Sequence, residues 1–103
     1  MVFQYEDLKI YVKDEQDKVI ALVTWQLKGE VAVVDHTFVD ESLRGQGVAS
    51  KLMKEAVNYF REKGYKTYGT CSYADVWYKK NQANLLDVLV ERPQEESVSC
   101  KIF

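Results

Sequence analysis

Three stretches near the start of the chain carry the apolar pattern of β-strands. "DLKIYVKDE" (residues 7–15) alternates apolar and polar positions, and "KVIALVTWQL" (18–27) is β-branched and aromatic. After the turn "KGE" (28–30) comes a third such run, "VAVVDHTFV" (31–39). Only "KDEQD" (13–17) separates the first two, so the three predict an antiparallel meander. The period then changes. Ala49, Leu52, Met53, Ala56, Val57 and Phe60 fall on one face of a helix that begins near Gln46, and Gly64 follows as its C-terminal cap. "YKTYGTCS" (65–72) predicts a further strand. A strand, a helix and a strand make a crossover, which places 31–39 and 65–71 side by side and parallel. "YADVWYKKN" (73–81) predicts a short second helix. "LLDVLV" (85–90) fits either a strand or a helical continuation, Pro93 breaks the chain, and "SVSCKIF" (97–103) fits an edge strand. The expected fold is α/β (α+β): a mixed sheet with an antiparallel N-terminal meander, a long helix, a parallel strand and a short second helix.

Length and composition bound the function. A chain of 103 residues with 47% hydrophobic and 29% charged residues is expected to form one domain over 1–103. A net charge of −2 gives no basic surface for nucleic acid. No apolar stretch nears the ~20 residues that cross a bilayer. "MVFQYEDLKI" has no basic segment leading into an apolar one, so a cytoplasmic protein is expected. Cys71 and Cys100 are the only cysteines and His36 the only histidine, too few for a C-x-x-C metal site. Free thiols are the expectation in that compartment.

One loop departs from this ordinary picture. The chain has five glycines and spends two of them, Gly45 and Gly47, where a helix should start. Glycine weakens a helix by roughly 0.8–1.0 kcal/mol relative to alanine. The first N–H groups of a helix lack partners within it and carry the positive end of its dipole. Small residues at 45, 47 and 49 would let a bulky anion reach them, and Arg44 adds positive charge. Phosphate or pyrophosphate fits such a place; a turn in which glycine only relieves strain fits the same residues. A Walker A loop is absent. The dinucleotide fingerprint would need glycine at 50, where Ser50 stands. The spacing present is Arg-x-x-Gly-x-Ala, at 44, 47 and 49.

That spacing resembles the Q/R-x-x-G-x-G/A loop of the GNAT N-acetyltransferase superfamily, and the order of elements over roughly residues 5 to 90 resembles it too. "DHTFVDESLRGQGVASKLM" followed by "CSYA" is similar to a subfamily of very small acetyl-CoA-binding members that lack the pair of helices between the first two strands. The resemblance implies acetyl-CoA as cofactor. It implies that backbone N–H groups of Gly45, Gln46, Gly47, Val48, Ala49 and Ser50, with Arg44, hold the CoA pyrophosphate. It implies that the backbone of Phe38 and Val39 pairs with the pantetheine arm in a gap between the strands at 31–39 and 65–71. One N–H near Val39 would then face the thioester oxygen.

Amine acetylation by this route needs a base, an oxyanion donor and an acid for the leaving thiolate. His36 is a candidate base, since a free imidazole titrates near ~6.5. Period-two alternation puts it on one face with Val34 and Phe38; it would serve equally as a strand-end hydrogen-bonding residue. Cys71, expected to end the parallel strand at the mouth of the gap, is either a transient acetyl carrier or a small half-buried hydrophobe. A free thiol near ~8.5 would need activation by His36 or a helix N-terminus. "CSYADVWY" resembles the superfamily's N-x-x-A-x-x-x-Y through Ala74 and Tyr78, with cysteine in place of asparagine. Tyr78 is thus a candidate acid, Tyr73 a weaker one, and either could be an amphipathic aromatic on a short helix. Three functions are open: an N-acetyltransferase with an amine or protein acceptor, a non-enzymatic acetyl-CoA-binding module or Cys71 acetyl carrier, and an interaction domain whose loop binds nothing. A monomer or weak homodimer is expected.

Overall fold

The structure, a computed structural model, describes residues 2–43 and 45–91. Strands β1 (Gln4–Glu6), β2 (Lys9–Lys13), β3 (Val19–Lys28) and β4 (Val31–Val39) come first, then helix α1 (Val48–Lys63), β5 (Lys66–Gly69) and helix α2 (Ser72–Asn81). Single 3-10 turns lie at Glu41–Leu43 and Gln82–Asn84. The five strands lie in sequence order in one sheet, antiparallel through β4 and parallel between β4 and β5. The meander and the crossover are therefore both present. β1 is an addition: its three residues, "QYE", are all exposed and show no apolar pattern to read. The segment at 85–90 is mostly a turn. It ends in one parallel rung, where Thr67 N–H donates to the Val88 carbonyl (2.8 Å) and Val90 N–H to the Thr67 carbonyl (3.0 Å). The edge strand expected at 97–103, together with Arg44 and Cys100, lies outside the described residues.

β3 and β4 do not pair evenly. Trp25 sits opposite Val34, but Thr24 sits opposite His36, so Asp35 is an extra residue in β4. This is a β-bulge. The Asp35 carboxylate accepts hydrogen bonds from the Thr24 hydroxyl (2.6 Å) and the Gln26 amide (3.1 Å), which anchors the bulge to β3. Opposed residues of an antiparallel pair share a face. Val34 therefore lies on Trp25's face, while His36 and Phe38 lie on the other, with Thr24 and Leu22. The expectation that His36 shares a face with Val34 is corrected here: the inserted residue reverses the alternation. Thr37 and Val39 take the places that Val34's parity would have given to His36 and Phe38.

Both helices cover the Trp25 face. Leu52, Met53, Ala56 and Phe60 of α1 are fully buried, and Phe60 meets the Trp25 ring edge-on at 5.0 Å. Burial of such a side chain contributes roughly 1.5–3 kcal/mol. Gly64 ends α1 in the left-handed region (φ 76°), where its N–H reaches the Arg61 and Phe60 carbonyls. Helix α2 buries Ala74, Trp77 and Tyr78, and the Trp77 indole donates to Ser50 Oγ in the first turn of α1 (3.0 Å). Among the described residues no helix is long and apolar enough to cross a membrane.

The end of β5 approaches α2 closely. A Cβ placed on Gly69 would lie 2.8 Å from the Ala74 Cβ and 3.3 Å from backbone atoms of Ala74 and Asp75. Gly69→Ala is expected to destabilise the fold by about 1–3 kcal/mol, the usual range for overpacking. Ala74→Gly in the same chain is expected to recover part of that loss. Denaturant midpoints of the two single variants and the double variant measure the coupling; additive losses would mean that the contact is not the cause.

Candidate functional site

The pairing of β4 with β5 stops abruptly. Its register runs from Val31–Lys66 to Val34–Gly69. The Val34 carbonyl then accepts from both Thr70 N–H (2.9 Å) and Cys71 N–H (3.2 Å), and the chain turns away into α2. β4 continues to Val39 without a β5 partner. Asp40 N–H donates to the Ile20 carbonyl (2.8 Å), which fixes the alternation of β4 past the bulge. The backbone groups of His36 and Phe38 point to β3, and those of Thr37 and Val39 point to the open edge. A wedge with two outward-facing strand residues thus lies between β4 and the start of α2.

Just beyond that edge the chain makes the 3-10 turn at Glu41–Leu43 and enters the glycine loop. Gly45 (φ 85°) and Gly47 (φ 72°) are both left-handed, and a Cβ on either would meet nothing within 4 Å. The two glycines are required by backbone shape, in a region that L residues with a Cβ adopt at a cost. Helix α1 begins at Val48 with Gly47 as N-cap, two residues later than expected. No side chain caps it and no acidic residue stands in its first turn. Its first internal bond is Lys51 N–H to the Gly47 carbonyl (3.1 Å), so Val48, Ala49 and Ser50 have no N–H partner inside the helix. Gln46 N–H is taken by the Leu43 carbonyl (3.3 Å), while its side-chain amide donates to the Ser42 carbonyl (3.2 Å).

The candidate chemical groups fall in three different places. Cys71 does not end a strand: β5 stops at Gly69 and Cys71 is the N-cap of α2, fully buried. Its sulfur lies 3.4 Å from the hydroxyl oxygen of Thr37, which is fully buried too. The expectation of a thiol at an open mouth is thereby corrected. His36 is half-buried on the opposite face, so β4 itself stands between the imidazole and the thiol. Tyr78 is buried deep under α2. Thr67 Oγ donates to the Ala32 carbonyl (2.7 Å), so its one proton is committed and the Tyr78 hydroxyl must be the donor in their 2.7 Å bond. Burial pushes the Tyr78 phenol far above the ordinary range. That hydroxyl serves the core at the Ala32–Thr67 rung, away from the wedge, which argues against the acid role expected of it. The sequence reading missed Thr37, whose only signal would have been the parity switch at Asp35.

A doubly left-handed glycine loop, an uncapped helix start and a wedge beside the unpaired edge of β4 thus meet at one end of the sheet. The chain belongs to the GCN5-related N-acetyltransferase family, whose model matches residues 9–88. The solution structure of a GCN5-like putative N-acetyltransferase from Staphylococcus aureus superposes with a TM-score of 0.73 at 29% identity, covering 90% of this chain and 91% of that one. An acetyltransferase from Bacillus cereus superposes at 0.60 and 26% identity, covering 76% of this chain and 63% of the other. Protein NATD1 of Xenopus tropicalis is 32% identical over 62 residues, which are 59% of this chain and 57% of that relative. The match thus spans little more than half the length of that protein.

Removal of the Tyr78 hydroxyl tests its placement. Tyr78→Phe is expected to lower stability by about 0.5–1.5 kcal/mol, the net value of one hydrogen bond, and to leave affinity for CoA unchanged. Thermal unfolding and calorimetric titration measure the two effects. Weakened CoA binding with unchanged stability would contradict the assignment of this hydroxyl to the core.

Proposed function

We propose that the chain binds acetyl-CoA and transfers its acetyl group directly to an amine. The observation that carries this reading is the alignment of the uncapped α1 start with the unpaired edge of β4, so that one extended ligand can use both. The N–H groups of Gly45, Gly47, Val48, Ala49 and Ser50 face the pyrophosphate, with Arg44 as the expected counter-charge. Thr37 and Val39, whose backbone groups point outward, pair with the pantetheine arm as an added strand would. Phe38 turns its own amide to β3 and contributes its side chain. The Val39 N–H is the donor for the oxyanion of the tetrahedral intermediate.

The amine attacks the thioester carbonyl from the helix-free face of the sheet, where His36 stands as the base that takes its proton. With no helices between β2 and β3, that face has no wall of helix among the described residues, which suits a lysine side chain on a macromolecule or another amine that brings its own surroundings. Burial of Cys71 against Thr37 favours direct transfer over an acetyl-cysteine intermediate.

Calorimetric titration with acetyl-CoA, using ATP and NAD as controls, is expected to show selective binding. Gly47→Ala forces alanine into the left-handed region, at a cost of order 1–3 kcal/mol, and is expected to weaken that binding by roughly tenfold or more. Absence of acetyl-CoA binding at high micromolar ligand would refute the proposal. With binding established, CoA release in the presence of Nα-acetyl-lysine amide or spermidine separates a transferase from a binding module. His36→Gln is expected to depress that release on the order of 10²-fold, and Cys71→Ala to leave most of it. Loss of turnover in Cys71→Ala with binding intact would point to the acetyl carrier instead.

A further inference from the structure

One carboxylate on the helix-free face has donors but no counter-charge. Thr24 and Gln26 alternate along β3 with the buried Val23 and Trp25, so both turn away from the helices. The Asp35 carboxylate bonds to each of them, Oδ1 to the Thr24 hydroxyl (2.6 Å) and Oδ2 to the Gln26 amide (3.1 Å), and so lies on the same face. It is half-buried. Both donors are neutral; they orient the carboxylate and leave its charge in place. No lysine or arginine among the described residues lies within ion-pair distance of it. Asp40 and Asp75, half-buried as well, face Lys18 (3.9 Å) and Lys79 (3.0 Å). Lys9, opposite Thr24 on β2, is engaged by Glu6 (3.4 Å). A carboxylate has room for about four hydrogen bonds, so Asp35 keeps acceptor positions for a charged donor.

The register sets this charge in line with the proposed reaction. Thr24, which holds Asp35, stands opposite His36, and Phe38 follows on the same face, half-buried opposite Leu22. From Asp35 to Val39 the strand runs at most about 13 Å. An extended acceptor lying along β4, with its reacting nitrogen at the Val39 end, crosses Phe38 and His36 and ends at Asp35. We infer that Asp35 determines acceptor specificity and that the acceptor is a linear polyamine, whose second ammonium group the carboxylate holds while the first is acetylated. The inference rests on the acetyl-transfer reading given above. The methylene chain covers the Phe38 ring, and the far ammonium supplies the cation that Asp35 lacks. Covering a carboxylate with a ligand costs free energy unless the ligand brings a partner for it. A lone lysine side chain brings a single ammonium, the one that is consumed, and leaves Asp35 unneutralised.

Two measurements test the inference. The first is the ratio of kcat/KM for spermidine to kcat/KM for Nα-acetyl-lysine amide, read as CoA release. A disturbed bulge that only displaces His36 lowers both values and cancels in the ratio. Asp35→Asn, which removes the charge, is expected to lower the ratio about tenfold, the effect of losing one charge-assisted hydrogen bond. Asp35→Glu is expected to retain more of it. A ratio unchanged in Asp35→Asn would overturn the inference, as would an equal loss in both variants. The second measurement needs neither variant nor turnover. In wild-type protein carrying ¹³Cγ-aspartate, with CoA bound, spermidine is expected to move the Asp35 resonance at concentrations where Nα-acetyl-lysine amide does not. An Asp35 resonance indifferent to millimolar spermidine would overturn the inference even if acetyl transfer occurs. An Asp35 response in a protein that releases no CoA would refute the transfer reading alone and support polyamine binding at Asp35.

Discussion

The Val34 carbonyl is the point on which the arrangement turns. It accepts two N–H groups, from Thr70 and Cys71, and so ends the parallel ladder while β4 still has residues to run. One residue later Asp35 is inserted into β4 and held to β3 by Thr24 and Gln26. The two features act together. The shared carbonyl sends β5 into α2 and opens an edge, and the bulge reverses which β4 residues face which way along it. A sheet that paired to its end would have no unpaired backbone to offer a ligand.

Packing holds that opening in place. Phe60 on Trp25 fixes α1 to the sheet, Gly69 lets α2 come down against β5, and Trp77 on Ser50 ties the start of one helix to the middle of the other. The buried chain from Tyr78 through Thr67 to the Ala32 carbonyl satisfies three polar groups under α2 with one another. The polar groups in the core of this fold thus belong to two sets. One set is closed on itself at the Ala32–Thr67 rung. The other, Thr37 with Cys71, lies beside the wedge, hydroxyl oxygen and sulfur 3.4 Å apart.

Much of this was legible from residue order. The β-branched runs, the six apolar positions of α1 and the glycine spacing at 45 and 47 are local patterns, and they gave the meander, the crossover and the loop. The failures have one kind of cause. β1 is formed by three exposed residues that β2 recruits across a turn, so no periodicity marks it. Tyr78 matched a motif in spacing, but spacing does not say which hydroxyl lies beneath it. "YKTYGTCS" is β-prone throughout and so reads as strand up to Cys71, yet the ladder ends where the Val34 carbonyl ends it.

The sequence by itself determined the three long strands of the meander, the two helices, their order, and a loop whose backbone needs glycine, because each depends on residues within a few positions of one another. Only the tertiary structure decided the faces of His36 and Thr37, the burial of Cys71, and the commitment of the Tyr78 hydroxyl to Thr67. These depend on one inserted residue in the β3–β4 register and on contacts between residues more than ten positions apart. Alternation along a strand carries no mark of the residue at which it reverses.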